Sequence, residues 1–248
     1  MKCSHGFRVT DIMDKLRGIL FDYGHTLVWF PGYEQANMAS ARNVQAILRD
    51  LGASIEVSRV RELIESYVPR KDGTSASVEE EAMGILVSAG VESFSRNDLQ
   101  RVIQAEWRPF IANVRVRRGV QEALEYSVKI GLKLGIVANI WSGGMKPVLA
   151  RFEIEDFFHT TVADMDVGFA KPDPRIFRLA LENLRLAPEE VLMVGDNPKN
   201  DIKGAHDLGM STIRLMRGPN RIQPDCVEAN FKIRNFSTLP SIIHRLSG

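Results

Sequence analysis

Asp22 closes the apolar run Gly18-Ile19-Leu20-Phe21, and Gly195-Asp196 closes a second run, Val191–Val194, with Asp201 five residues further on. Lys171 stands between the two, in Gly168-Phe169-Ala170-Lys171-Pro172-Asp173. A carboxylate in such a set can attack phosphorus and form an aspartyl-phosphate, splitting a hydrolysis into two easier steps. Asp22 is the candidate nucleophile and Lys171 the candidate cation that orients it and offsets phosphoryl oxygens. Magnesium prefers oxygen ligands and takes one or two carboxylates plus water and substrate oxygens. Asp22 and Asp196 could supply two such ligands, and Asp201 could hold a coordinated water. Three Asp, one Lys and one divalent ion sum to zero formal charge, so a phosphate need not enter a negative pocket. Taken singly these are a loop acid, a surface lysine, a turn and a helix cap. Their order, and their position after apolar runs, argue for one site.

The elements around them read as α/β. Gly18–Asp22 is a short buried strand. Val44, Ile47, Leu48 and Leu51 then recur at i, i+3, i+4 and i+7, with Gly52 as a stop signal. Further helices are expected over Val57–Val68, Val78–Ala89 and Asn97–Trp107, with a loop at Lys71–Ser75, so Tyr33–Phe110 reads as all-helical. Beyond Gly119, helices (Gly119–Lys129, Met145–Phe152, Asp173–Leu184, Asn200–Leu208) alternate with strands (Leu132–Ala138, Phe158–Val162, Val191–Val194, Ser211–Leu215). Phe231–Ile233 adds an edge strand before a last helix from Leu239. Short apolar strands alternating with amphipathic helices predict a parallel sheet covered on both faces. Ligands of such sheets bind outside the carboxyl ends of the strands, where Asp22, Asn139, Lys171 and Asp196 fall.

Composition narrows the function. The 248 residues are 44% apolar and 25% charged, with formal net charge +1, so no global field favours nucleic acid or an anionic membrane. The basic group Arg115, Arg117, Arg118 is expected at the solvated surface. Two cysteines, Cys3 and Cys226, make no disulfide framework, and no apolar run approaches the ~20 residues of a membrane span. With no signal-peptide pattern at the N-terminus, a cytoplasmic protein is expected. His5, His159, His206 and His244 lack metal-ligand spacing, and no P-loop or dinucleotide fingerprint occurs.

From about Gly18 to Leu215, these motifs resemble those of the haloacid dehalogenase superfamily: D-x-D-x-T, a later Ser or Thr, a Lys, and G-D-x-x-x-(N)-D. The resemblance implies a Rossmann-like three-layer core with a parallel sheet (1–30 and 114–248) and an inserted all-helical cap (31–113). It implies that Asp22 is the nucleophile, that Asp22, Asp196 and the carbonyl of Gly24 bind magnesium, and that Lys171, Thr26, Asn139 and Asp201 support them. Two positions depart from the pattern. Gly24 stands where phosphatases of the family carry the acid/base Asp, whose loss typically costs about 10²–10⁴ in rate. Ala138 replaces a hydroxyl that bonds a phosphoryl oxygen. His25 is the substitute acid the sequence offers, against bound water or a good leaving group. Ser142 is the substitute hydroxyl. The aromatics Trp29, Phe30 and Tyr33 are expected to pack as core or hinge rather than touch substrate. The function expected is a magnesium-dependent phosphatase of a small phosphorylated metabolite. The alternatives are a catalytically weakened relative that binds a phosphorylated ligand or partner, and a dehalogenase- or phosphonatase-type activity.

Overall fold

A computed structural model of the chain describes residues 15–66, 73–216 and 227–247. Strand β1 (Gly18–Phe21) and a two-residue strand β2 (Val28–Trp29) lead into helices α1 (Tyr33–Asp50), α2 (Val57–Ser66), α3 (Val78–Ser88) and α4 (Arg96–Asn113). The chain returns through β3 (Arg115–Val116), then α5 (Val120–Lys129), β4 (Lys133–Ala138), α6 (Ser142–Arg151), β5 (Thr160–Ala163), α7 (Asp164–Val167), α8 (Pro174–Leu184) and β6 (Val191–Gly195). A π-helical turn (Pro198–Lys203) runs into α9 (Gly204–His206), followed by β7 (Ser211–Leu215), β8 (Phe231–Ile233) and α10 (Leu239–Ser247).

Six strands form one parallel sheet in the order β5-β4-β1-β6-β7-β8. β1 is entirely buried because both neighbours and both helical layers cover it, which explains its uninterrupted apolar run. One core cluster packs Phe21, Ile136, Val194 and Phe236 under α5 and α10, and another packs Leu20, Val137 and Met193 under α8. Lys133, the charge that interrupts β4's pattern, donates from Nζ to Leu184 O at 2.7 Å and so satisfies a carbonyl at the end of α8. The chain order reverses between β4 and β6 on either side of β1, and this switch point is where open α/β sheets form their crevice.

Helices α1–α4 form an inserted helical cap with its own apolar cluster, including Val44, Leu48, Ile85, Leu86 and Ile103. Ser77 with Glu80 and Ser95 with Asp98 form capping boxes at α3 and α4, each a local signal worth about 1 kcal/mol. α4 runs beyond the Trp107 expected as its end and through Pro109. The proline cannot donate to Ala105 O, and Asn43 Nδ2 of α1 supplies that bond instead, at 3.4 Å. α6 starts three residues earlier than the pattern predicts. The antiparallel β2–β3 ribbon, joining the two crossings between core and cap, was not legible as strand because each member has only two residues. The predicted α2 extension to Val68, residues 71–72 of the expected loop, and His5, Cys3 and Cys226 lie outside the described residues.

Candidate active site

Asp22 leaves the end of β1 with its backbone N–H still on the ladder, donating to Val194 O at 2.9 Å. Its side chain therefore emerges at the level where β6 ends and Asp196 begins. Lys171 Nζ donates to Asp22 Oδ1 and to Asp201 Oδ1, each at 2.7 Å, with all three side chains at most 10% exposed. Asp201 Oδ2 accepts from Asn197 N–H at 2.9 Å. Asn139 grips the Lys171 backbone at two points, donating to its carbonyl at 3.0 Å and accepting from its N–H at 2.8 Å. Thr26, fully buried, donates to Asp196 Oδ1 at 3.4 Å.

Local structure makes these approaches possible. A Cβ at Gly195 would lie 2.3 Å from Asp201 Cβ, so the close packing of β6 on the π-helical turn requires glycine there. The wider π turn is a common feature of functional sites, and Asn197 closes its entrance by accepting from Lys199 and Asn200 N–H. Arg117 donates from Nε to His25 O at 3.0 Å. That half-buried arginine thus braces the loop after Asp22 instead of standing in solvent as its basic run implied.

The electrostatics follow from burial. Desolvation lowers the affinity of Lys171 for its proton, but Asp201 and Asp22 more than offset it and hold the ammonium charged. Asp201 is pushed upward, chiefly by burial and further by Asp22 and Asp196, against the pull of Lys171. Removing one member of such a buried pair typically costs about 3–5 kcal/mol. Ligand oxygens of Asp22, Asp196 and Asp201 lie within 4.8 Å of one another, and Asp22 Oδ2 is buried with no hydrogen-bond donor. Three crowded carboxylates, one with an open oxygen, fit a hard divalent cation such as magnesium. Asp22 and Asp196 would hold it, and it would supply positive charge beside a phosphoryl group.

Above this floor lies a cavity of ≈ 540 Å³ between core and cap. Asp22, Gly24, His25, Ala138, Asn139, Lys171, Asp196 and Asp201 line it from the core. Phe30 and Tyr33 line it as well, whereas Trp29 does not, so two of the three aromatics expected only to pack stand where a ligand would lie. Ser142, the candidate for the hydroxyl absent at Ala138, sits in the first turn of α6 and is not brought to the cavity wall. His25 lines the cavity with φ 62°, its ring 5.7 Å edge-on to Phe30. Sequence reasoning missed Ser75, Glu81, Glu106 and Asp164, which line the cavity from the cap and from the end of β5. Glu81 and Glu106 left one signal: each is an acid at an inward position of an otherwise apolar helical face.

The pattern of the haloacid dehalogenase-like hydrolase family matches residues 58–215. Over 231 residues, 93% of this chain and 98% of the relative, the sequence is 25% identical to a glyceraldehyde 3-phosphate phosphatase of Methanocaldococcus jannaschii. It is 32% identical to a phosphoserine phosphatase of Thermus thermophilus over 143 residues, 58% of this chain and 51% of that one. In fold it is similar to a HAD phosphatase from Thermococcus onnurineus, with TM-score 0.65, 23% identity and coverage of 92% of this chain and 98% of that one. It is also similar to a 2-haloacid dehalogenase from Pseudomonas syringae pv. Tomato DC3000, with TM-score 0.66, 22% identity and coverage of 94% and 100%. With the motifs at its strand ends and the parallel sheet that presents them, the chain belongs to the haloacid dehalogenase-like hydrolase family.

Proposed function

We propose that this hydrolase is a magnesium-dependent phosphatase of a small phosphorylated metabolite, working through an aspartyl-phosphate on Asp22. The observation that carries the reading is Lys171 Nζ bridging Asp22 and Asp201 at 2.7 Å on the floor of the cavity between core and cap. An ammonium so placed holds one oxygen of Asp22, orients the other toward a phosphoryl group, and neutralises charge as the phosphorane-like geometry develops. Asp22 attacks phosphorus, the ester oxygen leaves, and water then releases phosphate from the aspartyl group. Asp22, Asp196 and the Gly24 carbonyl would hold magnesium, which would supply positive charge beside the same oxygens. Residues 31–113 act in this reading as the cap that excludes water and selects substrate over a core of 1–30 and 114–248. The phosphatase names of the curated relatives support the reaction, and the near-neutral, cysteine-poor sequence supports a cytoplasmic setting.

The test is phosphate release from a panel of phosphomonoesters by the full chain. We expect turnover that chelation abolishes and magnesium restores, and a loss of at least about 10³ on Asp22→Asn, as for a removed nucleophile. Turnover indifferent to both chelator and Asp22→Asn would end the proposal. A second reading, a weakened enzyme that chiefly binds its ligand, draws on the absent side chains at Gly24 and Ala138. Calorimetric binding of a phosphomonoester without product formation would favour it.

A further inference from the structure

The roof of the cavity is acidic, and one of its carboxyl oxygens, on Glu106, has no hydrogen-bond partner. Glu106 of α4 is 5% exposed, and its Oε2 accepts no hydrogen bond. Glu81 of α3 is equally buried and interacts with Glu106, while Asp164 at the end of β5 interacts with Glu81. Among the described residues Lys171 is the single lysine or arginine lining the cavity, and it is already engaged by Asp22 and Asp201. A buried carboxylate oxygen left without a donor is costly, so a fold that keeps one there has a use for a ligand that brings the donor.

Two further observations narrow the ligand. Beside Glu106, the rings of Trp107, Phe110, Tyr33 and Phe30 form a continuous wall, with centroid separations of 6.5, 5.5 and 6.3 Å along Trp107–Phe110, Tyr33–Phe110 and Phe30–Phe110. Carboxylates set against aromatic faces are the chemistry that recognises organic ammonium groups. A metal ion fits less well: among the described residues, only Asp22, Asp196 and Asp201 bring three ligand atoms within 4.8 Å. We propose that Glu81, Glu106 and the Trp107 ring form a subsite for an organic ammonium group, so that the substrate is a phosphomonoester with an amine at its far end. This rests on the phosphatase reading for the phosphate end alone. The ammonium donates to the Glu106 carboxyl group while the phosphate lies against Asp22 and Lys171, where magnesium would sit, and the substrate's two ends match the two halves of the cavity.

Protonation supplies a distinguishing readout. Burial, with Glu81 as neighbour, raises Glu106 well above the usual carboxylate range, and burial with Asp164 raises Glu81 to about 7. The other charged groups lining the cavity toward this roof are Glu65 of α2, paired with Arg61, then Asp164 and Lys171 of the core, with His25 at the loop after β1. The empty roof therefore carries protons that an ammonium ion displaces, and selectivity for the amine rises with pH. The experiment compares O-phosphoethanolamine with ethylene glycol monophosphate, matched in size, using the full chain with magnesium and p-nitrophenyl phosphate as the measure of basal turnover. We expect kcat/KM to favour the amine by at least about tenfold, which is ~1.4 kcal/mol, and the ratio to grow between about pH 6 and about pH 8. Glu106→Gln, or Glu81→Gln should the first variant not fold, brings that ratio towards one. A purely structural role would lower both esters alike. A ratio at or below one in the wild type, or one unmoved by either variant, overturns the proposal. If no ester, p-nitrophenyl phosphate included, is hydrolysed, the phosphatase reading falls by itself. Calorimetry of the same two esters then decides the subsite: tighter binding of the amine by about tenfold upholds it, and equal binding overturns it.

Discussion

A Cβ added at Gly24 would meet only Phe30 Cε2, at 4.0 Å, so the site has room for the acid/base side chain that phosphatases resembling this one carry there. Gly24→Asp should then supply the missing proton for the leaving group. We expect kcat on an alkyl phosphate, whose leaving group needs protonation, to rise by about 10²–10⁴. The gain on p-nitrophenyl phosphate, whose leaving group departs unassisted, should be much smaller. Equal gains on both esters, or none, would show that this position does not limit proton transfer. His25 lines the same cavity, and Arg117 holds its carbonyl, so the loop that would present either group is braced from the core.

Among the elements, the junction of β6 with the π-helical turn controls the site most tightly. Asp201 reaches Lys171 only because Gly195 leaves no Cβ in its way. Gly195→Ala must push the Asp201 side chain aside, and overpacking of this kind costs roughly 1–3 kcal/mol. The expected result is a lower denaturant midpoint together with weakened magnesium dependence. A variant of unchanged stability and unchanged metal response would mean that the turn yields more easily than its packing implies. A similar approach docks the cap. A Cβ at Gly144 of α6 would lie 2.8 Å from Trp107 Cε3, so glycine lets α4 settle onto the core at the ring that borders Glu106.

For the molecule as a whole, the acidic roof has a stability consequence. Glu81 is raised from 4.5 to about 7, chiefly by burial and then by Asp164. A group whose folded-state value is raised contributes its stability fully below its unfolded value and loses it as pH rises through the folded one. The empty protein should therefore lose stability between about pH 5 and about pH 7, on the order of 3 kcal/mol for a shift of this size. Glu81→Gln should flatten that dependence, as read by urea midpoints across the range. A wild-type profile that rises over the same interval would show that other groups dominate. Among the described residues no helix is long and apolar enough to cross a membrane.

The sequence by itself determined the sheet and the floor of the site. β1 and β6 throughout, and β4 beyond Lys133, are buried on both faces, so their runs are apolar, and the residues that end them (Asp22, Asn139, Asp196) can only emerge at one edge of a parallel sheet. The helical cap was legible for a similar reason, since its helices keep one apolar stripe and two of them, α3 and α4, have local capping boxes. What only the tertiary structure decided is where the cap's acids and rings point. Glu81, Glu106, Trp107 and Tyr33 belong to three helices separated in sequence, and an acid on an apolar helical face signals that it points inward but not that it meets a cavity shared with the core. Packing of α1, α3 and α4 against the core converts scattered polar positions into a roof over Asp22. Ser142, expected at the site, and Arg117, expected in solvent, both lie elsewhere by the same logic: helix start and loop bracing are set by contacts across the fold, not by neighbours along the chain.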